Sequence, residues 1–97
     1  MKPQIPILAL AVFLAAALPA AAQCYADYKA KQDNPLRLQY GVAELPGSAC
    51  GDARAAAAHL APRLERDGWI LLQIVSTFGP EGLESRREDA GRFFLRY

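Results

Sequence analysis

The spacing of apolar residues changes along the chain, and each change marks an element. Over residues 24–31, Cys24, Ala26, Tyr28 and Ala30 alternate with Tyr25, Asp27, Lys29 and Lys31, which predicts a half-buried strand. Residues 32–35 collect turn formers, because Asp33 and Asn34 bond their own backbone and Pro35 fixes its φ. A hairpin follows, with the alternation resuming over residues 36–45: Leu36, Leu38, Tyr40 and Val42 share one side. Gly41 within that run marks a bulge or a close approach.

From residue 52 the period becomes helical. Ala53, Ala57, Leu60 and Leu64 form one face, opposite His59, Arg63 and Arg66. Asp52 is the predicted N-cap, since its carboxylate accepts orphan amides and suits the positive helix end. Pro62 removes the amide bond to Ala58, which predicts a kink or short break near Ala61. Gly68 should stop the helix, because glycine takes the left-handed conformation easily. Counting back puts Leu64 at C3 and Trp69 at C″, the two positions that touch in a Schellman cap.

Residues 68–78 are apolar at both parities and read as the central strand, covered on both sides. One helix hides one parity only, either Ile70, Leu72 and Ile74 or Trp69, Leu71 and Val75, so the other set stays open. Residues 79–91, polar and flanked by Gly79 and Gly91, read as a long solvated hairpin loop. Residues 92–97 alternate again, with Phe93, Leu95 and Tyr97 inward, and read as a last strand. The predicted fold class is α+β: a small antiparallel sheet in the order β-β-α-β-β, with one helix packed on it and one disulfide.

Ahead of this pattern, residues 1–22 carry Lys2, an apolar run over residues 7–18, Pro19 and three alanines at residues 20–22. That is the layout of a secretory signal peptide cleaved after Ala22, which leaves residues 23–97 as one small domain with no stable membrane anchor. Gln23 stands where a lipid-modified cysteine would have a small residue before it, so Cys24 is expected to carry no lipid. Loss of Lys2 lowers the basic count from 11 to 10, against 10 acidic residues. A neutral domain has no general electrostatic pull on nucleic acid or anionic lipid. The expected address is outside the cytoplasm, periplasmic or secreted.

Both cysteines, Cys24 and Cys50, fall in the exported part, where an even count in an oxidising compartment predicts a bridge. A hairpin turning at Asn34 puts Cys24 beside Ala43, a few residues before Cys50, so the bridge would fasten the hairpin to the helix entrance. A loop of that size contributes about 3 to 4 kcal/mol by restricting the unfolded chain. Two cysteines and the single His59 do not complete a closed zinc site, and no metal or other cofactor is expected.

Candidate chemistry is sparse. His59 lies on the exposed helix face without an evident nucleophile or orienting carboxylate, so it does not read as a general base. Arg86 and Arg87 have the forked donors that grip carboxylate or phosphate, but Glu84, Glu88 and Asp89 flank them and neutralise them locally. Glu44 and Asp27 are neighbours across the hairpin, an arrangement more often exposed than catalytic.

Tyr28-Lys29, Gly68-Trp69-Ile70-Leu71 and Phe93-Phe94-Leu95-Arg96 together resemble a class of small bacterial domains of unknown function. Those read as a Tyr-Lys strand, a helix ending in Gly-Trp, an apolar strand and a terminal Phe-Leu-basic strand. Such domains have Glu directly after the Trp, where this chain has Ile70, and the exported cysteine-bearing form is a further departure. The resemblance implies no catalytic residue. The reading is an exported, non-enzymatic protein-interaction or structural module. It would work through a protein partner or self-association on an apolar sheet face containing Trp69, Leu71, Leu72 and Phe94. A small-ligand carrier, and after it a hydrolytic enzyme, are the alternatives.

Overall fold

A computed structural model describes residues 23–97, and the signal-peptide reading of residues 1–22 lies outside the described residues. Five elements follow in order: β1 (Cys24–Gln32), β2 (Arg37–Leu45), α1 (Ala53–Glu65), β3 (Ile70–Phe78) and α2 (Glu84–Ala90). The strands form an antiparallel three-stranded sheet in the order β2-β1-β3, so the fold is α+β. No helix among the described residues is long and apolar enough to cross a membrane.

The central strand is therefore β1, and residues 70–78 form an edge strand instead of the predicted centre. Two breaks in register explain why its sequence misleads. Asp27 pairs with Ser76 but Tyr28 with Ile74, and Lys29 pairs with Gln73 but Ala30 with Leu71, so Val75 and Leu72 have no partner in β1. Each bulge resets the alternation. Leu71 and Ile74, three apart, both pack with Trp69 toward α1, while Ile70, Leu72 and Val75 are exposed. Neither of the two parity sets expected from strict alternation is the one that faces the helix.

On the α1 side the core is built from Tyr28, Ala30 and Ala43 of the hairpin, Leu60 and Leu64 of α1, and Trp69. Burying Leu60 and Leu64 fully is worth about 1.5 to 3 kcal/mol each. Gly41 is a close approach, since the hairpin register runs through it unbroken and the Tyr28 ring lies across it. A β-carbon there would come within 2.4 Å of the Tyr28 hydroxyl oxygen. That hydroxyl donates to the Gln39 side-chain carbonyl, also buried.

Asp52 caps α1 as expected, its carboxylate accepting from the Arg54 amide at 2.9 Å. Both bonds of the Schellman cap are made, Trp69 N–H to Leu64 O at 3.1 Å and Gly68 N–H to Glu65 O at 3.0 Å, with Gly68 at φ +81°. The expected break near Ala61 is absent: one helix runs through Pro62. Pro62 stands in the last turn, where little helix remains to be displaced by the lost bond to Ala58. The hairpin register puts Cys24 opposite Leu45, two residues beyond Ala43, because the turn takes in residues 33–36. Cys24 and Cys50 are bridged, with Cα atoms 5.9 Å apart.

The second half departs further from expectation. Residues 79–91 are not a hairpin loop; they contain a turn at Pro80–Gly82 and then α2. The positions of α2 and its approach that turn inward are Leu83, Arg86 and Ala90, spaced as on a helix face, but with a charged residue in the middle. An apolar period is invisible there. The predicted fourth strand is reduced to one parallel bridge between Phe94 and Val42, with the Leu95 amide donating to Val42 O at 2.8 Å. Leu95 sits at φ +59°, where extended backbone cannot continue.

Candidate functional site

The sheet has a second face, and its cross-strand rows are set by the register. Glu44, Tyr25 and Phe78 form one row, and Val42, Asp27 and Ser76 the next. Tyr40, Lys29 and Gln73, then Leu38, Lys31 and Ile70, complete the face. α2 packs against β2 and anchors the first two rows through Arg86. Among the described residues, no such helix covers the last two rows.

Under α2, Asp27 is 4% exposed and accepts three hydrogen bonds. It accepts from Ser76 Oγ at 2.7 Å, from the Tyr40 hydroxyl at 2.8 Å and from Arg86 Nε at 3.1 Å. Arg86 also donates to Gly82 O at 2.8 Å and lies 4.0 Å from the centre of the Phe78 ring. Desolvation works to raise the Asp27 pKa, but the hydrogen bonds from Ser76, Tyr40 and Arg86, with the charge of Arg86, outweigh it and hold the carboxyl below its ordinary value. Tyr40 moves the other way, pushed up to about 12 by burial and then by its bond to Asp27. Three donors thus hold the two oxygens of a carboxylate that is almost closed to water, Ser76 being one of them. The cluster is a latch that fastens α2 to the sheet.

The open half is chemically different. Leu38 is 72% exposed, Leu72 52% and Ile70 47%, and they flank Lys29 and Lys31 of the central strand. A cavity of about 330 Å³ lies among Leu38, Tyr40, Lys29 and Leu72. Lys31 pairs with Asp33 at 3.4 Å, while Lys29 is exposed and makes no ion pair among the described residues.

Of the four residues expected on one interaction surface, the structure leaves only Leu72 open. Trp69 is 8% exposed within the core, edge-on to Phe93, and Leu71 packs against the same core. Phe94 is half-buried, with the Arg87 guanidinium 4.5 Å from its ring centre. His59 is exposed on α1, and Glu44 accepts from the Gln23 side chain. Arg87 pairs with Glu84 at 3.3 Å on the surface. Arg86, read as part of a solvated loop, is instead bonded to Asp27 and Gly82 and lies over the Phe78 ring. Among the described residues no group of three His, Cys, Asp or Glu is placed to hold a metal ion. The lysines of the open half were legible as the outward parity of β1; their pairing with Leu38 and Ile70 needed the register.

No protein-family model, curated protein or solved structure matches this chain.

Proposed function

We propose that this chain is an exported, non-catalytic interaction module whose open half-face holds an apolar protein segment carrying carboxylates. The observation that carries the reading is the placement of Lys29 and Lys31 between Leu38, Leu72 and Ile70 on uncovered sheet. Apolar flanks supply burial, and an unpaired ammonium at the centre selects acidic partners over basic ones. The same charges argue against a face-to-face dimer, which would bring the lysines of one copy against those of the other. The Cys24–Cys50 bridge supports an address outside the cytoplasm, periplasmic or secreted.

The test uses the purified domain with two alternating peptides, Leu-Glu and Leu-Lys, followed by amide chemical shifts. The Leu-Glu peptide is expected to shift Lys29, Leu38 and Leu72 at concentrations where Leu-Lys shifts none, and light scattering is expected to report a monomer. Equal response to both peptides, or a dimer dispersed by Leu72→Lys, would refute the reading.

A further inference from the structure

A separate cavity of about 370 Å³ lies at the far end of the α1 side, where the hairpin end, the cap after α1 and residues 92–97 converge. Its charged lining is Arg37, Arg92, Arg96 and Asp67. The three arginines make no ion pair among the described residues. The Asp67 carboxylate is already in use, accepting from the Tyr97 hydroxyl at 2.7 Å, and its carbonyl accepts from Gln32 Nε2 at 3.1 Å. The Leu64 and Glu65 carbonyls at the end of α1 are occupied by the Schellman bonds, so the negative helix end presents few free acceptors there. Among the lining side chains, three guanidinium groups stand against one carboxylate.

The walls between those charges are aromatic. Trp69 and Phe93 meet edge to face at 5.7 Å, and both line the cavity. The Arg92 guanidinium lies 5.2 Å from the Phe93 ring centre, and that of Arg96 lies 5.9 Å from the Tyr97 ring centre. The forked donors of Arg37 and Arg92 suit bidentate capture of an oxyanion beside an aromatic surface, while Arg96 also hydrogen-bonds the Tyr97 side chain.

We propose that this cavity binds a small dianion carried on an aromatic body, with Arg37, Arg92 and Arg96 holding the anionic oxygens and the Trp69–Phe93 wall receiving the ring. Aryl phosphates and aromatic dicarboxylates share that chemistry. The cavity lies apart from the open half-face, so it stands independently of the partner proposed there.

Trp69 is the only tryptophan and lines the cavity, so its fluorescence reports occupancy directly. The probes are phenyl phosphate, phthalate, inorganic phosphate and phenol. Saturable change with phenyl phosphate or phthalate is expected, the tighter of the two identifying the oxyanion. Inorganic phosphate should bind more weakly, phenol should give no saturable change, and added salt should weaken both aromatic dianions. Arg37→Gln/Arg92→Gln should lower affinity about tenfold or more, as expected for losing charge-assisted hydrogen bonds, with the melting temperature retained because both side chains are exposed. If the double variant melts early, Arg37→Gln alone repeats the comparison. No saturable change with either aromatic dianion, or unchanged affinity in a folded variant, would overturn the proposal.

Discussion

On the second face of the sheet, the rows through Tyr25 and Asp27 lie under α2, whereas the rows through Lys29 and Lys31 lie open. The halves share strands, alternation and apolar neighbours. What separates them is the sign of the central charge. Asp27 has found Arg86 within its own chain, and around that ion pair Ser76, Tyr40 and Phe78 are satisfied or covered. Lys29 has no carboxylate against it among the described residues. The covered half holds a short segment with one counter-charge at its centre and apolar contact around it, and the partner proposed for the open half would repeat that arrangement with the charges exchanged.

The largest expected effect comes from cutting the fastening beneath the covered half, where the start of β1 is bridged to the entrance of α1. Replacing Cys24 or Cys50 with Ser should lower stability by about 2 to 5 kcal/mol in denaturant unfolding. Next, Arg86→Ala makes the covered half resemble the open one by removing its counter-charge. It should cost about 2 to 3 kcal/mol, at the low end for a broken buried pair because Arg86 is 28% exposed. The pH profile sharpens this prediction. With the Asp27 pKa depressed in the fold, the unfolded chain binds the proton more readily, so stability present above about pH 4 is lost as pH falls through the folded value. Asp27→Asn should flatten that acid limb in a series of unfolding curves. The smallest change in stability, within about 0.5 kcal/mol, is expected for Lys29→Glu on the open half. The same substitution should reverse partner preference from the Leu-Glu peptide to the Leu-Lys peptide, and an unchanged preference would break the comparison.

Legibility followed the range of the interaction. The hairpin, the Asp52 cap, the Gly68–Trp69 stop and the Cys24–Cys50 bridge were readable because each rests on local residue chemistry or on the only pairing available. The place of β3 at the edge was not, because its two bulges mix the parities that would have sorted inward from outward residues. α2 was hidden by its own function: the inward residue that holds it is an arginine, which in sequence looks solvated. The open half-face was half readable, since Lys29 and Lys31 already stood on the outward side of β1. Nothing local brings Arg37 together with Arg92 and Arg96; only the C-terminal residues turning back past Trp69 do so.

The two bulges also bear on the solubility of the chain at high concentration. β3 has nine residues, no charge and no proline, and one of its edges meets no strand among the described residues. A regular strand of that composition invites edge-to-edge growth into fibres. Here nine residues of β3 run beside seven of β1, from Tyr25 to Lys31. The two extra residues, each roughly 3.3 Å of strand, are absorbed as local bends and added twist. A neighbouring copy would meet donors and acceptors whose spacing is interrupted at Leu72 and Val75, so the ladder needed for fibre growth loses its register within a few residues.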